Sequence, residues 1–160
     1  MDKTILCPTD FTPESLNLVK QAIQDHSGEK LNILLLHGIH NSDSITDLLY
    51  FSKGKIVATL TNPAFEKACQ ILQERFGEHL NSFRTELFSG FTQRAFNNLL
   101  GDLRVDLVYV PNSYQFQLPG KLSMDLTGYL DKCSADKVNV YWSAYNEPLK
   151  PDTVTQISPA

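Results

Sequence analysis

Five short apolar runs recur along the 160-residue chain, separated by segments with helical spacing. Thr4 to Cys7, followed by Pro8, is too short for a helix and does not alternate, so it reads as a buried strand. Leu31 to Leu36 is continuously apolar, as befits a central strand covered on both faces, and His37-Gly38-Ile39-His40 closes it. Ser82 to Phe88 alternates, Val105 to Val110 stops at Pro111, and Val138 to Trp142 puts Val138, Val140 and Trp142 on one face. Between the strands, Thr12-Pro13 supplies a cap and a first helical residue for the face Leu16, Val19, Ala22 and Ile23, which Ser27-Gly28 ends. Asn62-Pro63 does the same for Phe65, Ala68, Cys69, Leu72, Phe76 and Leu80. Thr92 caps a helix burying Ala95, Phe96, Leu99 and Leu100, and Leu122, Leu126 and Leu130 mark a helix from Leu122 to Cys133. Ser44 to Phe51 reads as a short helix that Gly54 breaks, and Asn112 to Gly120 as a loop.

Strands alternating with helices imply right-handed crossovers and an open, five-stranded parallel sheet with helices on both faces, an α/β fold. Residues 1–145 form one domain on this reading. Residues 146–160, with Pro148, Pro151 and Pro159, form a loose tail.

Composition narrows the function classes. Hydrophobic residues make up 42% and the net charge is -4, which gives no general attraction to phosphate backbones or anionic lipid. Nucleic acid is therefore not an expected partner. A membrane is not expected either, since no apolar run approaches the ~20 residues of a spanning helix. The start shows no signal peptide, and Cys7, Cys69 and Cys133 are too few and too scattered for a disulfide framework, so a cytoplasmic location is expected.

In an open α/β sheet, ligands bind beyond the carboxyl ends of the strands, where strand order reverses. The loops to watch are Pro8-Thr9-Asp10-Phe11-Thr12 and Pro111-Asn112-Ser113-Tyr114. Ile5-Leu6-Cys7-Pro8-Thr9-Asp10-Phe11-Thr12 resembles the opening strand and loop of the universal stress protein family, and Leu34-Leu35-Leu36-His37 its second strand. Ser89-Gly90-Phe91-Thr92, followed by Val105-Asp106-Leu107-Val108-Tyr109-Val110, resembles its third helix and fourth strand. The resemblance runs from about Thr4 to Trp142. It implies an adenine nucleotide alpha hydrolase-like sheet of order 3-2-1-4-5 and a homodimer paired through the last strand, here Val138, Val140 and Trp142.

One branch of that family binds ATP through a spaced glycine pattern after the fourth strand. Glycines let backbone N–H groups approach phosphate. Here the pattern's positions fall on Pro111, Tyr114 and Met124, followed by Asp125. Pro111 lacks an N–H and Asp125 brings negative charge. The resemblance is thus to a branch without the ATP motif, with no cofactor expected. Were ATP or AMP to bind, Thr9, Asp10, Gly38, Asn112 and Ser113 are the candidate contacts, with Asp10 matching an aspartate that holds the adenosine end.

Each candidate also has a plainer reading. Asp10 can simply accept backbone N–H bonds and shape its loop. His37 and His40 fall on opposite faces of a regular strand with no third ligand in view, so no metal is expected. Cys7 reads as a small buried hydrophobe. Lys53, Lys55 and Lys121 are the basic residues nearest the expected cleft, and solvated surface positions are the default for them. Tyr114, Phe116 and Tyr129 could plug the cleft or offer an apolar surface to a partner. No nucleophile, base and orienting group can be assembled, so no catalytic residue is named. The chain reads as a universal-stress-protein-like stress-response or accessory protein, acting as a dimer, by protein contacts and without ATP. The alternative is a nucleotide-binding switch or slow ATPase with a divergent phosphate site.

Overall fold

A computed structural model describes residues 2–40 and 53–141. The helix expected at Ser44 to Phe51, Trp142 and the tail from residue 146 lie outside them. The described elements are strands β1 (Lys3–Pro8), β2 (Leu31–Ile39), β3 (Leu80–Phe88), β4 (Leu107–Asn112), β5 (Ser123–Met124) and β6 (Asp136–Tyr141). The helices are α1 (Asn17–Asp25), α2 (Lys53–Leu60), α3 (Pro63–Phe76), α4 (Gln93–Asp102) and α5 (Thr127–Asp131). Five strands pair in parallel in the spatial order β3-β2-β1-β4-β6, and β5 pairs antiparallel with β2. The long strands thus keep the expected order, and the short β5 makes a sixth.

Alternation along the central strands sends side chains into two cores. Ile5 and Cys7 of β1, Leu31, Ile33 and Leu35 of β2 and Tyr109 of β4 meet Val19, Ala22 and Ile23 of α1, Ile56 of α2, and Phe65, Ala68 and Leu72 of α3. Leu6, Leu36, Val108 and Val110 point the other way, toward Phe96 and Leu100 of α4 and Leu130 of α5. Burial on both faces is why these strands are continuously apolar. Tyr109 is fully buried, and its hydroxyl donates to Asp25 Oδ2 at 2.7 Å, tying β4 to the end of α1.

The caps act as expected. Thr12 accepts from the Ser15 N–H, Asn62 from Phe65 and Thr92 from Ala95. The chain after Thr12 first makes a 3-10 turn, Pro13–Leu16, and Gly28 after α1 takes φ +92.

Several boundaries differ from the sequence reading. His37 and Gly38 lie inside β2 rather than closing it, because β5 and β3 extend its pairing to Ile39. Pro111 sits within β4 next to the outer strand. Gly54 lies in the first turn of α2 rather than at a break. The helix after Asn62 ends at Phe76, and Leu80 opens β3. The largest departure is at Leu122 to Cys133: Ser123–Met124 is strand and only Thr127–Asp131 is helix. The spacing of Leu122, Leu126 and Leu130 suits a helix, but the backbone of residues 123–124 finds partners on β2 instead.

Candidate functional site

The site lies where β1 and β2 end. Asp10 is only 1% exposed, yet no ion pair meets it among the described residues. Hydrogen-bond donors surround it. Oδ1 accepts from the Thr12 N–H at 3.2 Å and the Thr12 hydroxyl at 2.6 Å. Oδ2 accepts from the Tyr114 hydroxyl at 2.6 Å and the Gln117 N–H at 2.7 Å. A buried carboxylate is tolerable only when its lone pairs are so occupied. Two of the four donors belong to the segment after β4. Burial and the Asp10 carboxylate together push the Tyr114 hydroxyl's pKa well up, so it stays a donor.

Phe11 sits beside Asp10 with φ 60, an unusual conformation for a bulky residue. Its carbonyl accepts from Asn62 Nδ2 at 2.8 Å, and its ring packs on Phe65 and on the His37 ring, at centroid distances of 5.3 and 4.6 Å. That packing offsets the backbone cost. Thr9 is buried, with its hydroxyl 2.8 Å from Ser15 Oγ.

His37 is 1% exposed and bridges two segments: Nδ1 lies 2.8 Å from the Thr9 carbonyl and Nε2 2.7 Å from Ser123 Oγ. Burial lowers its pKa below 6.5, while the Thr9 carbonyl and Asp10 work the other way. The Ser123 hydroxyl also donates to the Pro119 carbonyl at 2.7 Å. Serine, histidine and a carbonyl are here in contact, but the single Ser123 proton faces the Pro119 carbonyl rather than His37, which is not the arrangement of a nucleophile and its base. Ser123 is 5% exposed, and the adjoining void, lined by Thr9, Gly38, Phe116, Leu118, Met124 and Leu126, is about 10 Å³. It holds at most a water, so the shut structure has no room for a substrate there.

Residues 113–124 therefore cross the strand ends as a strap. Ser113 begins it with φ 66 and Gly120 bends it with φ +71. The His40 N–H donates to the Leu122 carbonyl at 2.7 Å, and β5 fastens the far end on β2. Gly38 is required under it, for a Cβ there would lie 2.6 Å from Leu126 Cδ2 and 2.8 Å from the Met124 carbonyl oxygen. Tyr114 and Phe116 pack edge to face, their centroids 5.2 Å apart.

The chain shares its fold with the universal stress proteins. No protein-family model and no curated protein sequence matches it. Solved structures do. Universal stress protein UspA from Lactobacillus plantarum is 13% identical with a TM-score of 0.52, over 86% of this chain and 97% of its own. A universal stress protein in complex with cAMP is 16% identical with a TM-score of 0.53, over 88% and 98%. The hypothetical protein MJ0577, whose biochemical function was assigned from its structure, is 20% identical with a TM-score of 0.55, over 88% and 96%.

Against this fold the five candidate contacts divide. Thr9, Asp10 and Gly38 come together beneath the strap, whereas Asn112 and Ser113 lie at the end of β4 where the strap begins. Asp125 Oδ1 accepts from the Thr127 N–H at 2.8 Å and shapes the start of α5. Tyr129 leaves the other aromatics and stacks on Phe96 beyond the sheet. Lys53 pairs with Glu86 at 2.8 Å. Among the described residues no group of three His, Cys, Asp or Glu side chains is placed to hold a metal, and no helix is long and apolar enough to cross a membrane. Cys7 is fully buried and its thiol pKa is pushed far up. Gln117 and Ser123 were missed in the sequence. Gln117 acts through its backbone, which leaves no side-chain signal, and Ser123 sat inside an apparent helix.

Proposed function

We propose that the protein belongs to the universal stress protein family, in a branch that works without ATP, as a cytoplasmic homodimer acting through contacts with other proteins. The observation that carries this is the strap. Phe116 and Leu118 stand over Pro8 and Thr9, where the fold would receive a ligand, and Tyr114 and Gln117 use Asp10. Closing the cleft from within leaves the outer surface for function. The outer edge of β6 supports the dimer. Val138 and Val140 of β6 are partly buried against the core, Tyr141 beside them is 78% exposed, and β6 is the outermost strand on this side among the described residues. Residues 1–145 as the folded unit, with 146–160 peripheral, belong to the same reading.

Isothermal titration with ATP, ADP and AMP tests the first part, and micromolar binding of any of them refutes it. Sedimentation equilibrium tests the second. A dimer is expected, weakened in Val140→Lys, and a monomer at all concentrations refutes it.

The similar fold seen in complex with cAMP supports a second reading, a nucleotide-binding switch or slow ATPase in which Asp10 meets the nucleoside. On that reading Asp10→Ala abolishes nucleotide-induced thermal stabilisation. It ends if wild type gains no stability at millimolar ATP.

A further inference from the structure

We propose that the groove between α3 and the outer edge of β3 docks an extended segment of a partner protein, with a basic, an apolar and a second basic residue at alternate positions. The inference rests on the reading that the protein acts through contacts with other proteins, and it names the place and the chemistry of one such contact. β3 is the outermost strand on the side away from β6, so a dimer paired through β6 leaves it open. One edge of β3 pairs with β2, and the other presents its backbone N–H and C=O groups to no strand among the described residues. Such an edge can take an added strand, whose backbone supplies hydrogen bonds and whose side chains supply selectivity.

The groove beside that edge selects the strand. It encloses about 580 Å³. Its floor is apolar: Val57 of α2, Phe65 and Cys69 of α3 and Phe83 of β3 all belong to or pack against the core beneath. Its α3 wall is acidic. Glu66, Gln70 and Glu74 follow at four-residue steps on one helix face, all three exposed, and Gln70 Nε2 donates to Glu74 Oε1 at 3.1 Å. Neither carboxylate forms an ion pair among the described residues. Arg84 is the one basic residue of the lining, and its Nε lies 4.0 Å from Glu86 of its own strand. The Glu66 charge reaches the floor, where burial and then this charge push the Cys69 thiol up to about 12.

Spacing follows from the geometry of the two elements. α3 leads from β2 back to β3, which is parallel to β2, so it runs along the strands. Glu66 and Glu74 are eight residues apart, about 12 Å along a helix. Four residues of a strand cover about 13–14 Å, and i, i+2 and i+4 share one face. A strand laid on β3 can thus turn basic residues at i and i+4 to the two carboxylates and an apolar residue at i+2 to the floor. A second copy of this chain fits worse, because pairing β3 with its own image brings another Glu66 and Glu74 to the same place.

Two-dimensional amide NMR of the full chain, titrated to about 2 mM with the capped peptide Thr-Lys-Thr-Ile-Thr-Lys-Thr, tests the docking. Shifts should fall on β3 and α3 and fit a Kd below about 1 mM. The isomer Thr-Lys-Thr-Ile-Lys-Thr-Thr turns its second lysine to the other face and should bind about threefold more weakly or worse. Glu66→Lys with Glu74→Lys, both at exposed positions, should weaken the first peptide at least about tenfold. The same double variant should gain binding of Thr-Glu-Thr-Ile-Thr-Glu-Thr, which wild type should not bind. The proposal is overturned if the amides of residues 80–88 do not move, or if wild type binds the lysine and glutamate peptides alike. It is also overturned if the groove amides shift with protein concentration alone, which would make a second copy the occupant. No nucleotide enters and β6 is untouched, so the groove can fail while the nucleotide titration and the sedimentation result stand, and the reverse.

Discussion

Gly38→Ala probes how closely the strap is seated. The added Cβ would meet Leu126 Cδ2 at 2.6 Å and the Met124 carbonyl oxygen at 2.8 Å, against the ~3.5–4.0 Å of a comfortable contact. Neither neighbour yields freely. Leu126 is 3% exposed, and Met124 is paired to Gly38 itself through β5. Gly38 does not have a left-handed φ, so alanine brings no backbone strain and the whole cost is packing. Overpacking of this kind costs about 1–3 kcal/mol, and alanine's smaller loss of chain entropy returns about 0.5–1 kcal/mol. A net loss of roughly 1–2 kcal/mol is expected in urea unfolding followed by circular dichroism. Leu126→Ala removes half of the clash. Alone it should cost about 2–5 kcal/mol as a cavity, but with Gly38→Ala the total should fall short of the sum by about 1 kcal/mol. A Gly38→Ala protein as stable as wild type would refute this seating of the strap.

Three further outcomes are expected. Tyr109→Phe leaves Asp25 without its buried donor and should cost about 1 kcal/mol in the same urea assay; no change would mean that the bond between β4 and α1 adds nothing. Burial and Glu66 push the Cys69 thiol up to about 12, and Cys7 is raised by burial, so native protein at mildly alkaline pH should be alkylated by iodoacetamide on the order of a thousandfold more slowly than a free thiol at either site. Mass spectrometry of the labelled peptides would show it. His37 has a folded pKa below its unfolded 6.5, so its contribution is full above about pH 6.5 and is lost as pH falls toward the folded value. Stability measured in urea should therefore decline less between about pH 7.5 and about pH 5 in His37→Gln than in wild type.

The sheet was legible because its central strands are buried on both faces, and such burial must be written as continuous apolar sequence, as at Ile33 to Leu36 and Leu107 to Val110. The caps were legible because Thr12, Asn62 and Thr92 act within three residues of themselves. Asp10 stood out by its place in the loop after the first strand, where the resembled family has an aspartate, and Tyr114 and Phe116 as aromatics in a loop where glycines would be needed. What joins them was not legible. Tyr114 lies 104 positions from Asp10 and Gln117 lies 107, and local patterning says nothing about pairs so distant. The choice between the two readings of the aromatic loop, plug or partner surface, depends on contacts of that kind.

Leu122 to Cys133 shows the division most clearly. Leucines four residues apart satisfy a helical face, and nothing local speaks against it. The tertiary structure spends Leu122 and Leu126 on strand ends and strap packing instead, because β2 has an edge there for Ser123–Met124 to pair with and His37 is waiting for a hydroxyl. The sequence by itself determined the α/β architecture and the end of the sheet where a site would lie, since hydrophobic period and capping are local quantities. Only the tertiary structure decided what covers this end of the sheet among the described residues, since residues far apart in the chain meet there at one buried carboxylate and one buried imidazole.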